Sequence, residues 1–170
     1  RWSAIASVTR VLGASRRSSF RIEAGPARDR AVERNIARGL FVEGAGFREV
    51  RGIHEGDYFS SAAVLELSPQ VTGMFVNRGL GARVRYERAD GGLQWQRLEV
   101  RVAARQPIGP FDLYGRADAG TLFGDAVPQA LFEIGRFEGL SAHEYKEFGG
   151  DRAAVGRAIL GYTLPILRAP

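Results

Sequence analysis

The sequence predicts an all-β protein, an antiparallel up-and-down meander of about eight strands. Apolar and polar residues alternate with a period of two in run after run, and no run keeps the period of a helix. Turn-forming residues separate the runs, most clearly at 89–92 and 106–110. Parallel strands would need crossover segments of a dozen or more residues, usually helices, and the sequence predicts no helix of any length. Successive strands therefore run antiparallel.

Each predicted strand has its own alternation. The first covers 2–12, where Ile5 interrupts the pattern, and the second covers 19–25. The charged segment 26–36 predicts a loop or one short helix, and the glycine-containing run 37–47 predicts a less regular strand. The clearest alternation predicts strands over 59–67, 80–87, 98–105, 112–122 and 153–164.

Composition narrows the class of protein. The chain has 170 residues, enough for one domain, and carries no cysteine, which excludes disulfides and thiolate metal sites. Its net charge is +5, but the arginines are mixed with Glu and Asp along the strands instead of forming a basic block. We therefore expect no nucleic-acid partner. No window approaches about 18 uninterrupted apolar residues, which excludes a transmembrane helix.

The sequence predicts no catalytic, cofactor-binding or metal-binding residues, and hence no enzyme. His54 and His143 lie far apart, and neither has a metal-ligand spacing. No glycine cluster continues into a phosphate-binding loop, and no serine stands in a nucleophile elbow. Glu87 and Glu99 each have arginines two residues away on the same face, so we interpret them as structural ion partners rather than an acid–base pair.

The polar faces of the later strands carry long charged side chains of both signs. In a soluble sandwich such a face meets water, whereas in a membrane barrel it lines a wet lumen and the apolar face meets lipid. Alternation alone does not separate the two. The predicted lumen ionic face consists of Arg83, Arg85, Glu87, Arg97, Glu99, Arg101, Arg116, Asp118 and Arg157.

Three features favour the membrane barrel. Charges of opposite sign fall on adjacent strands, where they support each other. The apolar faces consist mostly of Leu, Val and Ala, which suit lipid contact better than a tightly packed core. Connections alternate in length: 69–79, 106–110 and the end at Pro165 fall on the side opposite the long segment 126–150. This asymmetry is typical of a barrel with short periplasmic turns and one large outer loop.

The segment 140–152, LSAHEYKEFGGDR, resembles the long surface loop of the bacterial surface antigen superfamily. These are outer-membrane barrels of protein-assembly factors and two-partner secretion transporters. In that family a Leu-Arg-Gly-aromatic tip is followed by an aromatic, an acidic-Phe pair and a Gly-Asp-Arg that leads into the next strand. The positions that match are Leu140, Tyr145, Glu147, Phe148, Gly150, Asp151 and Arg152. Ser141, Ala142 and His143 stand where the family has Arg, Gly and an aromatic.

The resemblance implies a single, partial domain over 1–170, from the C-terminal region of a transmembrane β-barrel, with a long outer loop at about 125–152. We expect a fragment, because the family's periplasmic helper domains and further strands do not appear in this sequence. The implied location is the outer membrane of a Gram-negative-type bacterium, and the implied role is insertion or translocation of proteins there. The implied partners are outer-membrane lipid and polypeptide substrates or the missing barrel strands.

Two alternative functions stay open at this point. One is a barrel that anchors or secretes a fused soluble domain. The other is a soluble all-β binding module, either a sandwich or a lipocalin-like barrel.

The loop tip also has two interpretations. In the family the tip Arg is expected to meet acidic groups inside the barrel, and this sequence lacks that Arg. One hypothesis reverses the polarity: charged residues of the loop fold back and pair with Arg83, Arg101 or Arg116. The alternative is a surface loop with solvated charges. The loop residues concerned are Glu144, Lys146, Glu147, Asp151 and Arg152.

Overall fold

The computed structural model describes residues 1–13, 18–31, 52–68, 78–134 and 148–162, and almost all of their regular structure is β-strand. The strands are β1 (Trp2–Ser3), β2 (Ala6–Leu12), β3 (Ser18–Asp29), β4 (Gly56–Leu67), β5 (Gly79–Gly91), β6 (Trp95–Ile108), β7 (Phe111–Gly124), β8 (Phe132–Ile134), β9 (Phe148–Gly150) and β10 (Arg152–Tyr162). A single 3₁₀ turn, Pro128–Ala130, precedes β8. Within these described ranges, no helix is long and apolar enough to cross a membrane.

Eight of the strands form one sheet in which every neighbour is antiparallel. Its order is β1-β3-β4-β5-β6-β7-β10, with β2 paired to β3 alongside β1. The small strands β8 and β9 form a separate hairpin. The predicted antiparallel meander is therefore confirmed. In the described part of the chain the sheet is open, since its outer strands do not pair with each other, and closure into a barrel stays a prediction.

Near the chain start, the structure departs from the predicted bounds around Pro26. β3 continues through Pro26 to Asp29, so the prediction of a loop or helix is wrong for residues 26–29. Pro26 has no N–H to donate, and the partner strand is interrupted beside it, at 4–5 between β1 and β2. Gly25 fits there because a Cβ would collide with the carbonyl oxygen of Ala4. The strand predicted over 37–47 lies outside the described residues.

Two turns differ in their bounds from the prediction. β5 runs through Gly91, but its pairing with β6 ends at Ala89 opposite Trp95, so the hairpin reverses over 90–94, which overlaps the predicted turn at 89–92. Gly91 takes a φ of +139°, which a residue with a side chain could not adopt without strain. At the next reversal β6 continues to Ile108, and only Gly109 and Pro110 form the turn. Asp90 and Gly91 stay paired with β4, and Pro107 and Ile108 stay paired with β7, which period-two alternation near a turn does not reveal.

The connections separate into two ends of the sheet. Residues 30–55, 92–94 and 125–151 connect strands at one end, called the loop end. Residues 13–17, 68–78 and 109–110 connect strands at the other, called the turn end. The predicted alternation of sides is therefore confirmed for the described strands.

One segment leaves the loop end and packs back on the sheet. We call residues 125–134 the inner arm, and we call the sheet face it covers, which carries Arg83, Arg101 and Trp95, the ionic face. Val127, Ala130 and Phe132 of the arm are buried. They complete a small hydrophobic cluster at the loop end with Ala27, Tyr58, Ala89, Leu93, Trp95 and Leu122.

Gly120 provides the space that the inner arm needs. It lies in β7 on the ionic face, and the ring of Phe132 occupies the place where a Cβ would stand. Any larger residue at this position must therefore displace Phe132, because aromatic rings and backbone in a packed cluster do not yield freely.

We expect Gly120→Val to destabilise the protein by about 1–3 kcal/mol through overpacking against Phe132. The matched control is Gly115→Val in the same strand, where no described atom lies within 4 Å of the place of a Cβ. Urea unfolding of the refolded protein gives both free energies of unfolding. Equal effects of the two substitutions would mean that the arm does not pack on Gly120.

Candidate functional site

The cross-strand register brings the predicted ionic residues together. All nine lie on the ionic face, and each is half-buried. Directly opposite positions are Glu87–Arg97, Arg85–Glu99, Arg83–Arg101, Arg101–Asp118 and Arg116–Arg157. Alternation with a period of two was sufficient to find this face, because register converts alternation on each strand into one continuous surface.

Asp118 joins two arginines at the middle of this face. Arg101 Nε lies 2.5 Å from its Oδ1, and Arg116 Nε lies 2.6 Å from its Oδ2. The Arg116 side chain is only 10% exposed, so its interaction with Asp118 is largely sheltered from water. One carboxylate can serve both partners because guanidinium groups present several donors in one plane.

Glu87 and Glu99 are ion partners, as predicted. Arg85 Nη2 lies 3.1 Å from Glu87 Oε2, while Arg85 Nη1 reaches across to Glu23 at 3.0 Å. Arg97 Nη2 lies 2.8 Å from Glu99 Oε1. Both glutamates are thus engaged by arginines in a structural network.

The network extends beyond the predicted residues. Additional pairs on the same face are Arg21–Glu23, Arg83–Glu66 and Arg105–Asp112. The signal that could have found them is the same alternation, applied to β3, β4 and the ends of β6 and β7. These ion pairs therefore cross the sheet from β3 to β7, and the ionic face continues to Arg157 in β10.

The opposite face, called the apolar face, carries hydrophobic side chains that are exposed. Val8, Leu80 and Leu160 are 76%, 67% and 67% exposed. Further large exposed hydrophobic residues on this face are Phe20, Ile22, Phe59, Leu67, Tyr86, Val102, Ile108, Phe111, Leu113, Phe123 and Tyr162. Charge is thus sheltered on one side of the sheet and hydrocarbon is exposed on the other, the reverse of a sheet packed on a core in water.

The inner arm forms a lid over part of the ionic face. The Arg97 guanidinium stacks over the ring of Phe132, 4.3 Å from its centroid. Between the arm and the sheet lies a cavity of about 200 Å³, which is lined by Arg83, Arg85, Arg97, Glu99, Val100, Arg101, Arg116, Asp118, Ala119, Gly120, Phe132, Glu133, Ile134, Ala153 and Val155. Sequence reasoning missed this arm; the apolar run 126–132 inside the long loop, together with Gly120 in β7, was its signal.

Gln129 holds the arm at the loop end. Its amide nitrogen donates to Asp29 Oδ2 at 3.2 Å and to the carbonyl of His54 at 2.8 Å, while its Oε1 accepts from the His54 N–H at 3.2 Å. Tyr58 donates to the same Asp29 oxygen at 3.3 Å. The arm is therefore anchored to the last residue of β3 and to His54, two residues before β4 begins.

Only part of the predicted loop-tip motif lies within the described residues. Leu140, Ser141, Ala142, His143, Tyr145 and Glu147 lie outside the described residues, as do Glu144 and Lys146. Phe148 and Gly150 belong to β9, and Gly150 pairs with Phe132. Asp151 directly precedes β10 and Arg152 begins it; both are exposed, and Arg152 stands opposite Thr121 on the apolar face, the face opposite to Arg83, Arg101 and Arg116.

No protein-family model, curated protein or solved structure matches this chain. In the described ranges, no group of three or more His, Asp or Glu residues stands close enough together to hold a metal ion. The site is therefore defined by its geometry: a half-buried network of arginines and carboxylates, a lid over it, and an exposed apolar face behind it.

We expect Asp118→Asn to destabilise the protein by about 1–3 kcal/mol, because it removes a charge that two half-buried guanidinium groups share. The control is Asp90→Asn, which breaks the Arg88–Asp90 pair on the opposite face, where both side chains are 50% exposed. That substitution should leave stability unchanged, since exposed pairs contribute little. Thermal melts compare the two variants, and an unchanged melting temperature for Asp118→Asn would contradict the role of the network.

Proposed function

We propose that this chain is part of an outer-membrane β-barrel of the bacterial surface antigen superfamily and acts in the insertion or translocation of proteins at that membrane. The observation that carries the proposal is the inverted polarity of the sheet. Half-buried arginines and carboxylates occupy the ionic face, and Leu, Val and aromatic side chains stand exposed on the other. A lipid-facing barrel wall with a hydrated lumen needs this distribution.

Energetics supports lipid as the surroundings of the apolar face. Each Å² of apolar surface left in water costs roughly 25 cal/mol relative to burial. Soluble monomers rarely expose contiguous apolar patches larger than a few hundred Å². The exposed residues of this face run from β2 to β10. Such a surface requires an apolar cover, and a bilayer supplies one without a second sheet.

Aromatic side chains mark the two borders of the apolar face. Phe111 and Tyr162 contact each other at the turn end, with ring centroids 5.2 Å apart. Phe59 and Phe123 stand exposed at the loop end. At about 3.3 Å per residue, Phe111 and Phe123 are roughly 40 Å apart along β7. A strand tilt of about 40° reduces this to about 30 Å across the membrane, close to the hydrocarbon thickness.

The two ends of the sheet and the loop motif support the family. The two longest connections, 30–55 and 125–151, fall at the same end of the sheet. Long connections gathered at one end are typical of outer-membrane barrels, as is a segment folded over the lumen face. The inner arm leads into the loop that carries the resemblance at 140–152. The protein-assembly role rests on that resemblance, with an openable strand seam and an inward-folded segment lowering the cost of moving polypeptide into or across the bilayer.

The first part of the test is membrane folding with matched variants. We expect the chain to refold into phospholipid vesicles and to migrate as a heat-modifiable band on gels. Val102→Arg, at the middle of the apolar face, should cost about 2–4 kcal/mol of folding free energy in the membrane. Gln106→Arg, on the same face near the turn end, should cost about 0–1 kcal/mol. A soluble binding module would instead stay monomeric in buffer and tolerate both changes equally.

The second part addresses the assembly role in the same vesicles. An unfolded small outer-membrane barrel is added, and its folding is followed by protection from protease. We expect vesicles that contain the folded chain to accelerate this folding several-fold over empty vesicles, and vesicles prepared with the Val102→Arg variant to show less acceleration. Membrane folding without any acceleration would leave a barrel that anchors or secretes a fused domain as the better account.

A further inference from the structure

Guanidinium groups outnumber carboxylates on the walls of the cavity beneath the inner arm. Five arginines line it, Arg83, Arg85, Arg97, Arg101 and Arg116. The carboxylates on its walls are Glu99, Asp118 and Glu133. Arg83 and Arg85 also pair with glutamates outside the lining, so an anion would be held by the particular guanidinium groups that it contacts and not by an overall positive charge.

Two of these arginines face each other directly. The register places Arg83 of β5 opposite Arg101 of β6, between Glu66 on one side and Asp118 on the other. Like charges at directly opposite positions destabilise a sheet. The two acids next to them in register, Glu66 and Asp118, lie on the outer sides, so neither stands between Arg83 and Arg101. An anion between them would do so.

The guanidinium donors of Arg83 are also less well matched with acceptors than those of Arg101. Its Nε lies 3.5 Å from Glu66 Oε1, a distant ion pair, and makes no hydrogen bond with any described residue. Arg101, by contrast, donates to Asp118 at 2.5 Å. A buried guanidinium donor without an acceptor is costly, and a ligand oxygen would relieve that cost.

The cavity is large enough for such a ligand and is partly closed. Its volume of about 200 Å³ far exceeds the roughly 10–15 Å³ that one water molecule needs. Phe132 and Ile134 of the arm cover it, and Ala153 and Val155 contribute small apolar side chains. Restricted access of water strengthens charge-assisted hydrogen bonds inside the cavity.

We infer that this cavity is a binding site for an oxyanion, the phosphate or carboxylate group of a small molecule, which sits between Arg83 and Arg101 beneath Phe132. The planar guanidinium groups bind such groups through paired N–H donors. The inference does not depend on the membrane proposal, because the cavity lies between the sheet and its own arm.

The test measures binding of two probes to the folded full-length chain by isothermal titration calorimetry. The probes are inorganic phosphate and citrate, and the medium is whichever keeps the chain folded, vesicles or buffer. We expect saturable binding of at least one probe: phosphate alone identifies a phosphate site, citrate alone a carboxylate site, and both together a site that selects on charge.

Matched variants locate the binding. Arg83→Gln should weaken it about tenfold, the usual effect of losing one charge-assisted pair. Arg88→Gln changes an exposed arginine of the same strand on the opposite face and should leave the dissociation constant within about twofold. Phe132→Leu, which opens the cover, provides a second variant in case Arg83→Gln fails to fold, and it should also weaken binding. Absence of saturable binding to either probe, or equal losses in the Arg83 and Arg88 variants, would overturn the inference.

Discussion

The structure depends on one inversion: charged side chains are sheltered on one face of the sheet, and hydrocarbon is exposed on the other. In water the hydrophobic effect favours the opposite arrangement. The charges of the ionic face stabilise one another because arginines lie beside carboxylates, as at Asp118, which pairs with both Arg101 and Arg116. The exposed hydrophobic side chains of the apolar face have no comparable cover within the described part of the chain. A cover from outside the described chain would resolve this, and that requirement motivates our proposal of a lipid bilayer.

The sequence was sufficient for the sheet but not for its exact bounds. Alternation with a period of two identified the strands and placed their connections at the correct ends, because each half-buried face demands it. Alternation failed to give the strand bounds at positions where the backbone stays paired although the residue type usually marks a strand end or a turn. β3 passes through Pro26, which usually signals a strand end, since the neighbouring ladder is interrupted beside it. β5 continues through Asp90 and Gly91, a pair that usually forms the hairpin turn itself.

The candidate site was predictable in part, for a similar reason. The charged residues of β5, β6 and β7 reveal their common face through local alternation. The inner arm depends instead on tertiary packing of Phe132 against Gly120 and Arg97, which no local pattern encodes. The exposure of Asp151 and Arg152 likewise follows from the register of β10 with β7, which places Arg152 opposite Thr121. Residues that act through contacts distant in sequence were therefore the ones that the sequence did not predict.

The orientation of the two faces is tested most directly by site-specific labelling of β10. The chain contains no cysteine, so each introduced cysteine is a unique attachment point for a fluorescent probe. In vesicles, probes at Ala154, Ala158 and Leu160 should be quenched by brominated lipid and protected from aqueous iodide. Probes at Val155 and Arg157, on the ionic face, should show the reverse. Probes on both faces that are equally open to iodide, or probes at Ala154, Ala158 and Leu160 that neither quencher reaches, would contradict the account.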